Sequence, residues 1–165
     1  MRREDREMEK NFAFYVTDKC EYAVIAMTDD DNKPYCLPVT IVRDNDIIYF
    51  HSAKEGRKVE VLQKNPYVCM TCVGDTYRPP DKFTTEFESA VLYGTAAEVT
   101  DDNEKIHALE LLCRRHTPAN MHMFDAAVER SLSRTGVWKI EISSITGKRK
   151  KYDKDGVEMK YGRME

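Results

Sequence analysis

The sequence predicts an α+β domain, mainly β, built on an antiparallel, barrel-like sheet of roughly six strands with helices inserted between them. Three observations carry this expectation. Short runs rich in β-branched and aromatic residues, such as "AVIAMT" and "DIIYF", recur between clusters of Asp, Asn, Pro and Gly. Roughly two or three segments carry the spacing of an amphipathic helix. The chain has 165 residues, 41% of them hydrophobic, which is one folding unit with a core of its own.

The charged opening "MRREDREMEK" has no apolar stretch behind it, so it does not read as a secretion signal, and the expected compartment is the cytoplasm. A single domain over residues 1–165 is expected, with its core at about 12–148 and a polar, peripheral tail over 149–165. "EYAVIAMT" reads as a strand that ends in the turn cluster "DDDNKP". "YCLPVTIVRD" and "DIIYFHS" read as two more, separated by "RDND". Val59 and Leu62 stand three apart and Pro66 stops the pattern, which predicts a short helix from about Gly56 to Asn65. The strand "YVCMTCV" follows. "GDTYRPPDKFTTEFE", with adjacent prolines and little periodicity, reads as a long loop before the strand "SAVLYGTAAEVT". "DDNEKIHALELLCRRH" opens on acids, closes on bases and carries Ile106, Leu109, Leu112 and Cys113 on one face, the signature of an amphipathic helix. A second helical piece at about Phe124–Leu132 precedes "TGVWKIEISSITGK", a final strand with one break in alternation among Val137, Ile140, Ile142 and Ile145.

A net charge of −3 gives the whole surface no general attraction for nucleic acid or anionic lipid, and no stretch is long and apolar enough to span a membrane. Neither is an expected partner. The five cysteines fall mostly in strand-like runs and read as reduced, buried thiols. Cys69 and Cys72 form a C-x-x-C, but inside a strand pattern and without a second pair, so no metal is expected there.

"FHSAKEGRK", Phe50–Lys58, delivers a strand into a basic, glycine-punctuated turn before a helix. Such a turn exposes backbone N–H groups without helical partners and the positive end of the helix dipole, and both stabilise an anion. Ser52 supplies a hydroxyl, Gly56 lets the backbone approach a ligand, and Arg57 and Lys58 place two cations on the first helical turn. Cations oppose the dipole there and are stabilising only when an external anion, most naturally phosphate, pairs with them. A solvated charged turn is the competing reading.

The run "KPYCLPVTIVRDNDIIYFHSAKEGRKVEVLQKNP", Lys33–Pro66, resembles the pyridoxamine 5′-phosphate oxidase-like FMN-binding split-barrel family, especially its nitroimidazole-resistance, Nim-type branch. "NPYVCMTC", "SAVLYGTAAEV" and "WKIEISSITGK" fall in the family's order. The resemblance implies a six-stranded split β-barrel in which Ser52, Arg57 and Lys58 bind the FMN phosphate, with Ala53, Lys54 and Gly56 in the same turn. It implies that the main chain of Pro38, Val39 and Thr40 runs along the flavin ring. His51 would lie beside the ring as the catalytic residue, exchanging protons near neutral pH. It also implies a homodimer with FMN at the subunit interface, where Trp138 and the "TTEFESAVLYG" strand would approach the partner's flavin. The chain lacks the arginine that pyridoxamine phosphate oxidase proper carries in the strand "YCLPV", and its C-terminal arginine-rich signature, so vitamin B6 oxidation is not implied. The expected function is that of an FMN-dependent oxidoreductase acting on a small electron-poor acceptor such as a nitroaromatic. Two alternatives are a flavin-binding module without turnover and a haem-binding barrel using His116 or His122 of "HTPANMHMF".

Overall fold

The computed structural model describes residues 3–160 and, among them, eight strands and four α-helices. The strands are β1 Glu7–Met8, β2 Ala23–Thr28, β3 Pro34–Val39, β4 Val42–Asp44, β5 Ile47–Ala53, β6 Tyr67–Tyr77, β7 Glu86–Glu98 and β8 Thr135–Lys150. The helices are α1 Lys10–Lys19, α2 Arg57–Lys64, α3 Asp102–His116 and α4 Phe124–Ser131. The sheet runs β3-β2-β6-β7-β8-β5-β4 with antiparallel neighbours, and β1 adds to the far end of β8.

The two outer strands of that order, β3 and β4, are joined by Thr40 and Ile41 alone. Two residues reach only a few ångströms, so the edges of the sheet are drawn together and it rolls into a barrel. No ladder joins β3 to β4 among the described residues, which leaves a seam. The Ile41 side chain is fully buried at that seam, and His116 Nε2 of α3 donates to the Ile41 carbonyl at 2.8 Å.

Alternation divides the buried strand residues between two clusters. Ile25, Phe50, Met70, Leu92 and Ile140 fill the barrel, while Tyr49, Val42 and Val137 form a smaller cluster with Ala108 and Leu112 of α3. Strand β5 feeds both: Ile48 and Phe50 face the barrel, and Tyr49 faces α3. The next two residues inherit those directions, so His51 lies on the α3 side and Ser52 on the barrel side. Helix α3 begins as its sequence predicts, the Asp101 carboxylate accepting from the Glu104 N–H at 2.9 Å.

The expected fold class holds, but the strand count is eight and not six. "YCLPVTIVRD" is two strands because the barrel seam interrupts it at Thr40 and Ile41, and the short β1 is added at the edge. The expected long loop is reduced to residues 78–85, because the β6–β7 ladder continues to Tyr77 opposite Glu86. Helix α1, which the charged opening did not suggest, buries Ala13, Val16 and Thr17 against the sheet. The tail is less peripheral than expected. Strand β8 reaches Lys150, Tyr152 bridges to Glu158, and Met159 is buried. Residues 161–165 of the tail lie outside the described residues.

Candidate functional site

Helix α2 starts without a side-chain cap. The backbone N–H groups of its first turn therefore point outward with no helical acceptor. Gly56 precedes them at φ 117° and ψ 167°, a left-handed conformation that side chains rarely adopt, and a Cβ there would meet nothing within 4 Å. Glycine is needed here for the backbone path, and the space beside it is open.

The two cations of the turn have different surroundings. The Arg57 guanidinium lies 3.4 Å from an Asp29 carboxylate oxygen and 4.5 Å from the centre of the Tyr35 ring, so it is drawn towards the β2–β3 turn. Lys58 is half-buried, its Nζ sits 5.3 Å from the centre of the Phe50 ring, and it has no carboxylate partner among the described residues. Burial pushes its pKa below the ordinary lysine value. A partly desolvated ammonium at the positive end of a helix dipole is unfavourable in isolation and is corrected by a bound anion.

Ser52 faces the same side, its hydroxyl donating to the Ala53 carbonyl at 2.6 Å. It pairs across the ladder with Gly136 of β8, where a Cβ would stand 3.2 Å from Ser52 Oγ and 3.1 Å from the Ala53 carbonyl oxygen. Gly136 thus keeps the floor of the turn clear, a role invisible until the β5–β8 register is known. Ala53 and Lys54 are exposed, and Lys54 has no ion-pair partner among the described residues.

Val39 directs its side chain into the core, so only its main chain faces outward, whereas Pro38 and Thr40 are exposed at the seam. As an edge strand, β3 keeps one row of main-chain N–H and C=O groups free of ladder partners. His51 and Ser52, expected around one ligand, have side chains on opposite faces of β5, and His51 joins Thr40 in a cavity under α3. His51 keeps an exposed edge, and the partial desolvation of its ring against α3, followed by the charge of Lys58, lowers its pKa from the ordinary 6.5. The ring is therefore neutral at pH 7, with one nitrogen donating and one accepting.

One other expectation is corrected. Trp138 is 2% exposed and belongs to the barrel core, so it is too deeply packed to approach a partner's flavin. The His116 Nε2–H is engaged by Ile41, and His122 Nδ1 donates to the Ala119 carbonyl at 3.1 Å. Cys72 is buried in the core cluster with Cys20, whereas Cys69 is only partly buried.

The chain is thus a split antiparallel barrel whose fifth strand runs into an uncapped, cation-bearing helix start, a setting in which an anion would be stabilised. The family model described as pyridoxamine 5′-phosphate oxidase matches residues 17–149, and the chain belongs to that family. Among solved structures it is similar to a candidate 5-nitroimidazole antibiotic resistance protein from Bacteroides thetaiotaomicron, with 29% identity and a TM-score of 0.74 over 87% of this chain and 86% of that one. It shares its fold with an FAD and heme binding protein from Mycobacterium smegmatis, at 18% identity and a TM-score of 0.75 over 88% of this chain and 73% of that one. An FAD binding protein from the same organism matches at 18% identity and a TM-score of 0.60, over 87% and 96% of the two chains. No curated protein sequence matches significantly. No described helix is long and apolar enough to cross a membrane.

Proposed function

We propose that this chain is an FMN-dependent oxidoreductase whose cofactor phosphate sits at the start of α2. The observation that carries the reading is Lys58, a half-buried cation with no carboxylate partner among the described residues, set on an uncapped helix start beside open space. Family membership and the likeness to the candidate nitroimidazole resistance protein support it. When bound, FMN supplies the transfer of electrons or hydride to a small electron-poor acceptor such as a nitroaromatic. Lys58 and the first-turn N–H groups hold the phosphate, with Ser52 and, after release from Asp29, Arg57 beside it. The free main-chain edge of Pro38–Thr40 offers hydrogen bonds to the ring. Neutral His51 gives or takes a proton at a ring nitrogen as the acceptor is reduced.

The outer face of the sheet supports a homodimer. Register aligns Cys36, Ala26, Cys69, Tyr93 and Ser144 in one row and Pro38, Val24, Thr71, Val91 and Thr146 in the next. Neither row contains a charged residue across five strands, although Tyr93 is 55% exposed. Such a face is matched by an identical one on a second copy, and Pro38 places its edge next to the proposed flavin strand.

The test is reoxidation of the anaerobically reduced, FMN-loaded protein by a nitroaromatic. His51→Gln is expected to slow it by about a hundredfold while leaving FMN affinity unchanged. Absence of acceptor-dependent reoxidation in the wild-type protein would leave a flavin-binding module without turnover.

A further inference from the structure

The geometry points to the cavity beneath α3 as the acceptor pocket, with an uncharged, single-ring aromatic molecule as its occupant; this rests on the flavin reading above. The half-open space is ≈ 450 Å³, within the range of small-ligand sites, and shares Thr40 and His51 with the proposed flavin site. Leu109, Leu112 and Cys113 form its α3 wall, and Ser131 and Thr135 close the end near the start of β8. No Asp, Glu, Lys or Arg lines it, so a charged ligand would lose water without gaining a counter-ion, whereas a flat apolar ring meets the leucines.

The hydroxyl protons around the cavity set the ligand's polarity. Ser131 Oγ donates to the Ala127 carbonyl at 2.6 Å, and Thr135 Oγ1 donates to the Ser131 carbonyl at 2.9 Å. With their protons engaged, both hydroxyls face a ligand as acceptors. His116 has its Nε2–H on Ile41. The donors left are the Thr40 hydroxyl and the N–H of neutral His51. The pocket therefore fits a ring with a hydrogen-bond-accepting substituent beside Thr40 and His51 and a donor, an amine or hydroxyl, beside Ser131. A nitro group directed at His51 is thereby placed beside the proton carrier of the proposed reaction.

Cys113 gives a readout independent of turnover. In the FMN-loaded wild-type protein, its alkylation by iodoacetamide, followed by peptide mass spectrometry, is expected to slow at least about fivefold when 4-nitroaniline saturates the pocket. The anion 4-nitrobenzoate at equal concentration should give no such protection, and the rate of Cys36 alkylation, a thiol on the proposed dimer face that does not line the cavity, should be changed by neither. Leu109→Trp, which fills the cavity from the helix side, is expected to weaken 4-nitroaniline binding at least about tenfold with FMN affinity retained. Unchanged Cys113 alkylation, equal protection by the two probes, or unchanged 4-nitroaniline affinity in Leu109→Trp each overturns the assignment. Protection without flavin reoxidation would uphold the pocket and sink the redox reading; saturable reoxidation without protection would do the reverse.

Discussion

His51 and Ser52 are adjacent in sequence and face different chemistry because a strand alternates its sides. Ser52 shares the barrel side with the α2 turn, and His51 meets α3 and its cavity. The lowered pKa of His51 has a pH signature. A neutral imidazole is favoured in the fold, so the associated stability is fully present above the ordinary value of 6.5 and is lost as pH falls through the depressed folded value. His51→Gln has no such titration. The stability of wild type relative to this variant, measured by denaturant unfolding, should therefore fall between pH 7.5 and pH 5. A difference that stays constant, or grows on acidification, would show that the imidazole is not desolvated as the structure places it.

At the scale of elements, strand β8 carries the most dependence on distant sequence. Its ladder with β7 shifts register between Tyr93 and Gly94, where a Cβ on residue 94 would stand 2.6 Å from Ile140 Cγ2 and collide with the Glu141 carbonyl. Because backbone cannot move aside as a side-chain tip can, Gly94→Ala should destabilise the protein by about 1–3 kcal/mol in denaturant unfolding. An unchanged midpoint would mean that the bulge is not packed as described. Elements with local signals were legible in the sequence. Helix α3 is announced by acids at its start and bases at its end, and α2 by Val59, Leu62 and the stop at Pro66. The basic turn after β5 was visible because cations at a helix start contradict the local rule. Features that depend on long-range pairing were hidden. The apolar run "LPVTIV" shows no break at Thr40, since the seam there is set by the closing of the sheet. Helix α1 buries Ala13 against Gly147, a partner near the other end of the chain. Gly136 and the α3 cavity likewise become functional candidates only after β5 and β8 are in register.

For the whole molecule, a net charge of −3 means that an anionic cofactor is held by local arrangement and not by the overall field. The charge-free outer rows of the sheet make the proposed assembly testable by one substitution. Wild type should have twice the 19.2 kDa chain mass at micromolar concentration in sedimentation, and Tyr93→Lys, at the middle of the face, should shift it towards monomer. A wild-type monomer with FMN bound would contradict the dimer. A dimer indifferent to Tyr93→Lys would place its interface elsewhere.

The central claim is that the α2 turn recognises a phosphate, and FMN differs from riboflavin by that group alone. Arg57 already shares its charge with Asp29 and lies over the Tyr35 ring, whereas Lys58 has no carboxylate partner among the described residues. A charge-assisted contact is worth roughly 1.5–3 kcal/mol, so Lys58→Ala should weaken FMN by about ten- to a hundredfold, more than Arg57→Ala does, and leave riboflavin nearly unaffected. The most direct measurement is a fluorescence titration of both flavins into the wild-type and Lys58→Ala apo-proteins. A loss confined to FMN is the predicted result. Equal losses for the two flavins, or no loss for FMN, would contradict a phosphate site at the start of α2.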